Sequence, residues 1–354
     1  MKVCAPIPWF PIVSSRNESQ GPVVGEWNGL TVYRPKFFYF PRILKNYDAQ
    51  LYARGLRQWL QELCKSWRPD VLDAHFIWPD GVAVAALARK VGIPYVITLR
   101  GKLYECLPIP SQKKQCEDAL KHASAVISVS GPMANEAFKL GVPKNRIFII
   151  PNGIDRMRLR PGNKELSRQK LGLPENRRIL VTIAHLGHRK GHKEAIQALA
   201  GLPNDVQLVI VGGAAQGGNA DILRDVAARF DVSDRLILPG PQPYEKIPLY
   251  LNAADASVLA SYREGCPNVV LESLACGTPV VASDVGAVRD ILPEPEVGRI
   301  VPPQEVEPLR GALADVLNRD WDQKEIVRAS GVKSWDEVAK DVQNVFCKVL
   351  RTKG

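Results

Sequence analysis

Two tandem series of alternating strand and helix candidates in a chain of 354 residues predict an α/β fold: two Rossmann-like, doubly wound parallel-sheet domains facing each other. Three observations carry this. The length exceeds what one hydrophobic core ordinarily serves. Apolar, β-branched runs of strand length recur, separated by amphipathic stretches with glycine stops. The alternation also restarts after a polar bridge at residues 153–177.

In the first series, "DVLDAHF" (70–76), "PYVITL" (94–99), "SAVISVS" (124–130) and "RIFIIP" (146–151) read as buried strands. Helices are expected between them at 81–92, 112–123 and 132–141. In the second series, strands are expected at 178–184, 206–212, 235–240, 256–261, 278–283 and 298–303, each followed by a helix candidate. The boundaries are set at 1–158 and 159–333. The last segment, 334–351, is an amphipathic helix capped by Ser334, and two placements stay open: closing the second domain or crossing back onto the first. Ligands of such sheets bind at the carboxyl ends of the strands, so the site is expected between the domains.

Composition narrows the class. Hydrophobic content of 45% and charged content of 24% are ordinary for a globular protein. No apolar run reaches membrane-spanning length, and the N-terminus, with Pro8 and Pro11 in its apolar stretch, does not read as a signal peptide. Seven scattered cysteines without a CxxC pair argue for reduced thiols and against a metal or disulfide framework. Residues 1–160 hold 23 Lys/Arg against 12 Asp/Glu, whereas the remainder is close to neutral. A basic half suits an anionic partner, and a plain solvated basic surface is the alternative.

The densest chemistry lies in "REGCPNVVLESLACGTPVVAS" (263–283). Pro267 suits the first position of a helix and Gly277 its stop. The N–H groups of Asn268, Val269 and Val270 then lack intrahelical partners and face outward with the positive end of the helix dipole, an arrangement that favours phosphate. Glu264 precedes this anion site, and Glu272 stands about one turn inside the helix, where it either accepts from sugar or ribose hydroxyls or is simply solvated.

This stretch resembles the E-x7-E signature of the retaining glycosyltransferases of family 4, which have the GT-B fold. The resemblance implies that Glu264 contacts the sugar of a nucleotide diphosphate sugar, with Gly265 beside it. It further implies that the amides of Asn268, Val269 and Val270 hold the distal phosphate and that Glu272 binds the ribose. "IAHLGHRKGHKEAIQAL" (183–199) resembles the family's Arg-x4-Lys-Gly element, with Lys190 and Gly191 on the Lys-Gly. His185 stands where the family has Arg, leaving Arg189 or a protonated His185 to supply the missing charge. "IVGGAAQGG" (210–218) resembles the loop that faces the nucleotide, through Gly212 and Gly213. "DAHFIWPDG" (73–81) and "ITLRGKLYE" (97–105) resemble loops on the acceptor side. There His75 either touches the acceptor or is a satisfied core imidazole, and Arg100 meets the leaving phosphate or the acceptor. "IPNGID" (150–155) resembles the segment entering the interdomain linker, placing Asn152 and Gly153 beside the cleft.

The implied reaction is retaining sugar transfer to a hydroxyl, in cell-surface polysaccharide or glycolipid synthesis. Its catalytic set is Glu264, Lys190, Arg100 and His75, and it needs no cofactor and no metal. "MKVCAPIPWFPIVSS" resembles the family's second strand and loop, so the first strand, glycine-rich loop and helix are expected to be missing. Two alternatives stay open: a catalytically incompetent nucleotide-sugar-binding homologue and a sugar-nucleotide 2-epimerase. Expected partners are a nucleotide-sugar donor, a saccharide or lipid-linked acceptor and, through the basic half, an anionic membrane surface; no RNA-binding motif is present and no nucleic acid is expected. The expected location is cytoplasmic, peripheral at the inner leaflet.

Overall fold

The computed structural model describes residues 1–10, 24–215 and 217–351. The chain divides into two compact units. One comprises Met1–Val129, Met133–Ile149 and Val342–Gly354, and the other Ser130–Pro132 and Ile150–Asp341.

The first unit begins with short strands: β1 (Val3–Cys4), β2 (Ile7–Trp9), β3 (Val24–Trp27), β4 (Leu30–Tyr33) and β5 (Lys36–Phe38). β1 and β3 flank β4, and β2 pairs with β5. The expected second-strand resemblance at 1–15 falls on β1 and β2, and its residues 11–15 lie outside the described residues. Next come α1 (Asp48–Ser66), β6 (Leu72–His75), α2 (Val82–Val91), β7 (Tyr95–Leu99), α3 (Leu103–Cys106), α4 (Pro110–Lys121), β8 (Ala125–Ser128), α5 (Gly131–Lys139) and β9 (Ile147–Ile149). Strands β6 to β9 form a parallel sheet in sequence order. β7 and β8 are buried along their whole length, as expected of a parallel sheet covered on both faces. α1 buries Tyr52, Leu56, Leu60 and Leu63, spaced by three or four residues, against Phe37, Ala83 and Leu87. Each such burial contributes roughly 1.5–3 kcal/mol.

The second unit adds α6 (Lys164–Leu171), β10 (Arg178–Ile183), α7 (His192–Ala200), β11 (Val206–Val211), α8 (Ala220–Arg229), β12 (Leu236–Gly240), α9 (Ile247–Ala253), β13 (Ala256–Leu259) and α10 (Asn268–Ala275). It continues with β14 (Val280–Ser283), α11 (Val288–Ile291), β15 (Gly298–Val301), α12 (Val306–Leu317) and α13 (Gln323–Ser330). Its six strands are all parallel, in the order β12-β11-β10-β13-β14-β15. Chain progression therefore reverses between β10 and β13, and a crevice at their carboxyl ends is where such sheets take ligands.

The polar bridge at 153–177 is not all loop: it contains α6. Asn163 caps this helix by accepting from Leu166 N–H, and Gly172 ends it in the left-handed region. The buried Arg168 guanidinium ties it down through Asp255 Oδ2 (2.7 Å), Ala253 O and Glu175 O. The final helix, α14 (Trp335–Arg351), opens with a reciprocal cap. Ser334 N–H and Oγ–H donate to Glu337 Oε2, and Glu337 N–H donates to Ser334 Oγ. Residues from 342 onward group with the first unit, where Lys348 Nζ lies 4.9 Å from the Phe148 ring centroid.

Candidate functional site

The two motif loops follow the two central strands of the second unit. The loop after β10, residues 184–191, is zipped to the end of β11: Ala184 N–H donates to Val211 O and Leu186 N–H to Gly213 O. A Cβ at Gly212 would lie 1.9 Å from Ala184 O, so the glycine is required for this close approach. Gly212 and Gly213 are thus seen here shaping the 184–186 segment. Gly191 has φ +67°, and a Cβ there would lie 1.9 Å from Ala260 O in the loop after β13. Tyr262 N–H donates to Arg189 O (2.9 Å), so the two loops are fastened together.

That fastening brings Lys190 and Glu264 into contact. Lys190 Nζ donates to Glu264 Oε1 at 2.6 Å, with the side chains 30% and 14% exposed. The Glu264–Gly265 backbone is itself held: Ala287 N–H donates to Gly265 O, and a Cβ at Gly286 would come within 2.5 Å of the carbonyl oxygens of both Glu264 and Gly265. His185 and Arg189 are exposed on the same loop.

α10 begins at Asn268, and Pro267 is its cap residue, one place earlier than the sequence suggests. Of the three expected amides, Val270 N–H is already occupied, donating to Pro267 O at 3.1 Å. Among the described residues, the N–H groups of Asn268 and Val269 make no such bond, and they are the two left for an anion. Asn152 is brought to this helix end, its Nδ2 donating to Asn268 Oδ1 (2.8 Å). Gly153 is not. It is buried against the backbone of Ser334 and Trp335, because Ile154 pairs there with Ser334.

Glu272 sits on the second turn of α10, half-buried, with the Tyr244 hydroxyl near it. Burial raises its pKa above the ordinary carboxylate value, and the Tyr244 hydroxyl partly offsets this. The Tyr244 phenol is pushed up to about 12, by burial first and then by the Glu272 charge. A half-buried carboxylate here has acceptor capacity for hydroxyl groups.

Sequence reading missed the layer beneath these loops. His192, first residue of α7, is 3% exposed, and its Nε2–H donates to the His185 carbonyl at 3.0 Å. Its other nitrogen, Nδ1, is buried without a partner among the described residues, and desolvation lowers its pKa. Tyr262 donates to Glu194 Oε1 at 2.5 Å and meets the His188 ring edge-on. The only hint in sequence was polar residues at otherwise apolar positions of α7.

In the first unit, His75 and Arg100 are brought together. Arg100 Nε donates to His75 Nδ1 (3.1 Å), so Nε2 carries the imidazole proton and donates to Asp73 Oδ2 (3.1 Å). Thr98 Oγ1 donates to Asp73 Oδ1. The His75 side chain is 52% exposed, which rules out the core-imidazole reading. Phe76, next in the chain, has φ +71°, a strained value for a bulky residue.

Among the described residues no group of three or more His, Cys, Asp or Glu is placed to hold a metal. One literal Asp-x-Asp, Asp320–Asp322, escaped the sequence reading. Its Asp322 is a helix cap, accepting from the N–H groups of Lys324 and Glu325.

The family model of glycosyl transferases group 1 matches residues 163–331, and that of Glycosyltransferase Family 4 matches residues 12–158. A Bacillus subtilis (strain 168) glycosyltransferase assigned to teichuronic acid biosynthesis, TuaC, is 31% identical over 299 residues, covering 82% of this chain and 71% of its own. The D-inositol 3-phosphate glycosyltransferase of Acidothermus cellulolyticus is 27% identical over 304 residues, covering 79% and 67%. Among solved structures, sucrose-phosphate synthase from Thermosynechococcus elongatus superposes with a TM-score of 0.77 at 21% identity, covering 94% of this chain and 86% of that one. Anabaena HepE in complex with UDP gives 0.75 at 20%, covering 89% and 86%. The chain belongs to the group 1, family 4 glycosyltransferases and has their GT-B fold.

Proposed function

We propose that the chain transfers a sugar, with retention, from a nucleoside diphosphate sugar to a hydroxyl of a saccharide or lipid-linked acceptor in polysaccharide or glycolipid synthesis. The observation that carries this is the convergence after β10 and β13 of three features: the Lys190–Glu264 pair, the open amides of Asn268 and Val269, and the half-buried carboxylate of Glu272. In this reading the amides of Asn268 and Val269 take the distal phosphate and Lys190 neutralises the charge that grows on it as the glycosidic bond breaks. Glu264 accepts from a sugar hydroxyl and Glu272 from the ribose. The acceptor oxygen bonds to the anomeric carbon on the face the diphosphate leaves, and its proton passes to the departing phosphate oxygen. No metal is assigned a step. His192, by gripping the His185 carbonyl, holds the phosphate loop in shape.

The HepE structures bound to UDP and to UDP-glucose support a nucleotide-sugar donor. In the first unit, Arg100 and His75 are assigned to the acceptor. The basic first 160 residues are assigned to an anionic membrane surface; no helix among the described residues is long and apolar enough to cross a membrane. The test is sugar transfer from a panel of UDP-, GDP- and ADP-sugars, with the anomeric configuration of the product read by proton NMR. Inversion would refute the stereochemistry, and binding without turnover on any donor would favour a non-catalytic homologue.

A further inference from the structure

The loop entering α1 is arranged against the usual solvation of side chains. Ile43, Leu44 and Tyr47 are 60%, 49% and 57% exposed. The polar residues between them are tied down instead. Lys45 Nζ donates to Phe40 O (2.9 Å) and lies 3.6 Å from the Tyr39 ring centroid. Asn46 accepts from Gln112 and Gln115 on α4. Arg42 and Leu44 both have positive φ, so the backbone is bent to present the apolar residues outward.

Directly beside this loop a groove of about 720 Å³ runs between α1, α2 and α4. Gln115 joins the two features, donating to Asn46 O and accepting from Gln50, and both glutamines line the groove. The floor is small and apolar, with Ala49, Ala53 and Ala119. The walls carry Arg54, Arg57, Lys90 and Lys114, none with an acidic partner among the described residues. The one acid lining the groove, Asp118, is already bonded to Arg89 at 2.6 Å.

We infer that this loop and groove are the membrane-docking surface of the chain, and that their occupant is an anionic phospholipid of the leaflet. The phosphate headgroup sits between Arg54, Arg57, Lys90 and Lys114, while Ile43, Leu44 and Tyr47 enter the acyl region and the alanine floor takes an acyl chain. The inference rests on the membrane contact proposed above and gives it residues. A second copy of the chain suits the surface poorly, because a two-fold contact would set these cations against themselves. A soluble polyanion leaves the outward aliphatic side chains without a role.

The full chain is sedimented with vesicles of phosphatidylcholine alone and of phosphatidylcholine mixed with phosphatidylglycerol. Binding is expected only to the anionic vesicles, weakening as salt rises. Each cation near such a surface accounts for about a fivefold change in partitioning, so Arg54→Gln with Arg57→Gln lowers binding about 25-fold. Ile43→Ser, which leaves every charge in place, lowers it roughly tenfold. Both variants keep the wild-type unfolding midpoint and wild-type affinity for UDP, GDP and ADP, so the donor-site reading stands or falls on separate data. Equal binding to both vesicle types, no binding to either, or unchanged partitioning of the two variants would overturn the assignment.

Discussion

The ion pair between Lys190 and Glu264 makes a counter-intuitive prediction about a carboxylate of the site. Lys190 Nζ donates to Glu264 Oε1 at 2.6 Å, so its charge is paired. A diphosphate that recruits Lys190 must stretch or share that bond. A hydrogen bond with a charged partner contributes about 1.5–3 kcal/mol, and a neutral one about 0.5–1.5. Because the Lys190 side chain is 30% exposed, the lower part of the charged range applies. Replacing Glu264 by Gln keeps an acceptor of the same shape but removes the ion-pair attraction, which reduces the cost of releasing Lys190 by about 1 kcal/mol. Glu264→Gln should therefore bind free nucleoside diphosphate roughly fivefold more tightly than wild type, while transferring sugar more slowly. Calorimetric titration reads the first effect and a coupled release assay the second. Weaker binding of the free nucleoside diphosphate would mean that Glu264 supports the phosphate site and that Lys190 is not redirected.

Three further outcomes follow from the same geometry. The raised pKa of Glu272 means that nucleotide affinity falls as pH drops through a value above the ordinary carboxylate range; Glu272→Gln should lower affinity about tenfold and flatten that profile, which titrations at several pH values check. His192 has its pKa lowered by burial, so the unfolded chain takes up the proton first, and stability is lost as pH falls through the unfolded imidazole value of about 6.5, by at most about 1.4 kcal/mol per pH unit. In His192→Gln, thermal melts across that window should lose this slope. Gly191→Ala combines a left-handed backbone with a Cβ 1.9 Å from Ala260 O, and should cost more than about 3 kcal/mol in urea unfolding of the second unit.

Strands buried on both faces were legible because they are nearly all apolar and β-branched: "YVITL" and "VQLVIV" each carry a single uncharged polar residue. The short strands β3 to β5 were not, since three- and four-residue pairings of mixed polarity carry no period. α6 was hidden because "KELSRQKL" is polar apart from two leucines, and its anchor is the Arg168–Asp255 ion pair, 87 residues apart. The same limit applies to the site. Glu264 and Glu272 were singled out by their local setting and Lys190 by the family resemblance of its loop, but the contact of Lys190 with Glu264 spans 74 residues and exists only because β10 and β13 are neighbours in the sheet. Tyr244 carried no local sign of function, and for His192 and Glu194 the sign was only their polarity within α7. Their roles come from burial and from the partners that burial selects.

The central claim is that the loops after β10 and β13 receive a nucleoside diphosphate. Backbone hydrogen exchange of the full chain, with and without whichever of UDP, GDP or ADP binds most tightly, tests it most directly. The account predicts slowed exchange in peptides spanning 185–191 and 264–272, strongest at the amides of Asn268 and Val269, with no change along α1. Protection confined to other segments, or no binding of any of the three, would contradict it.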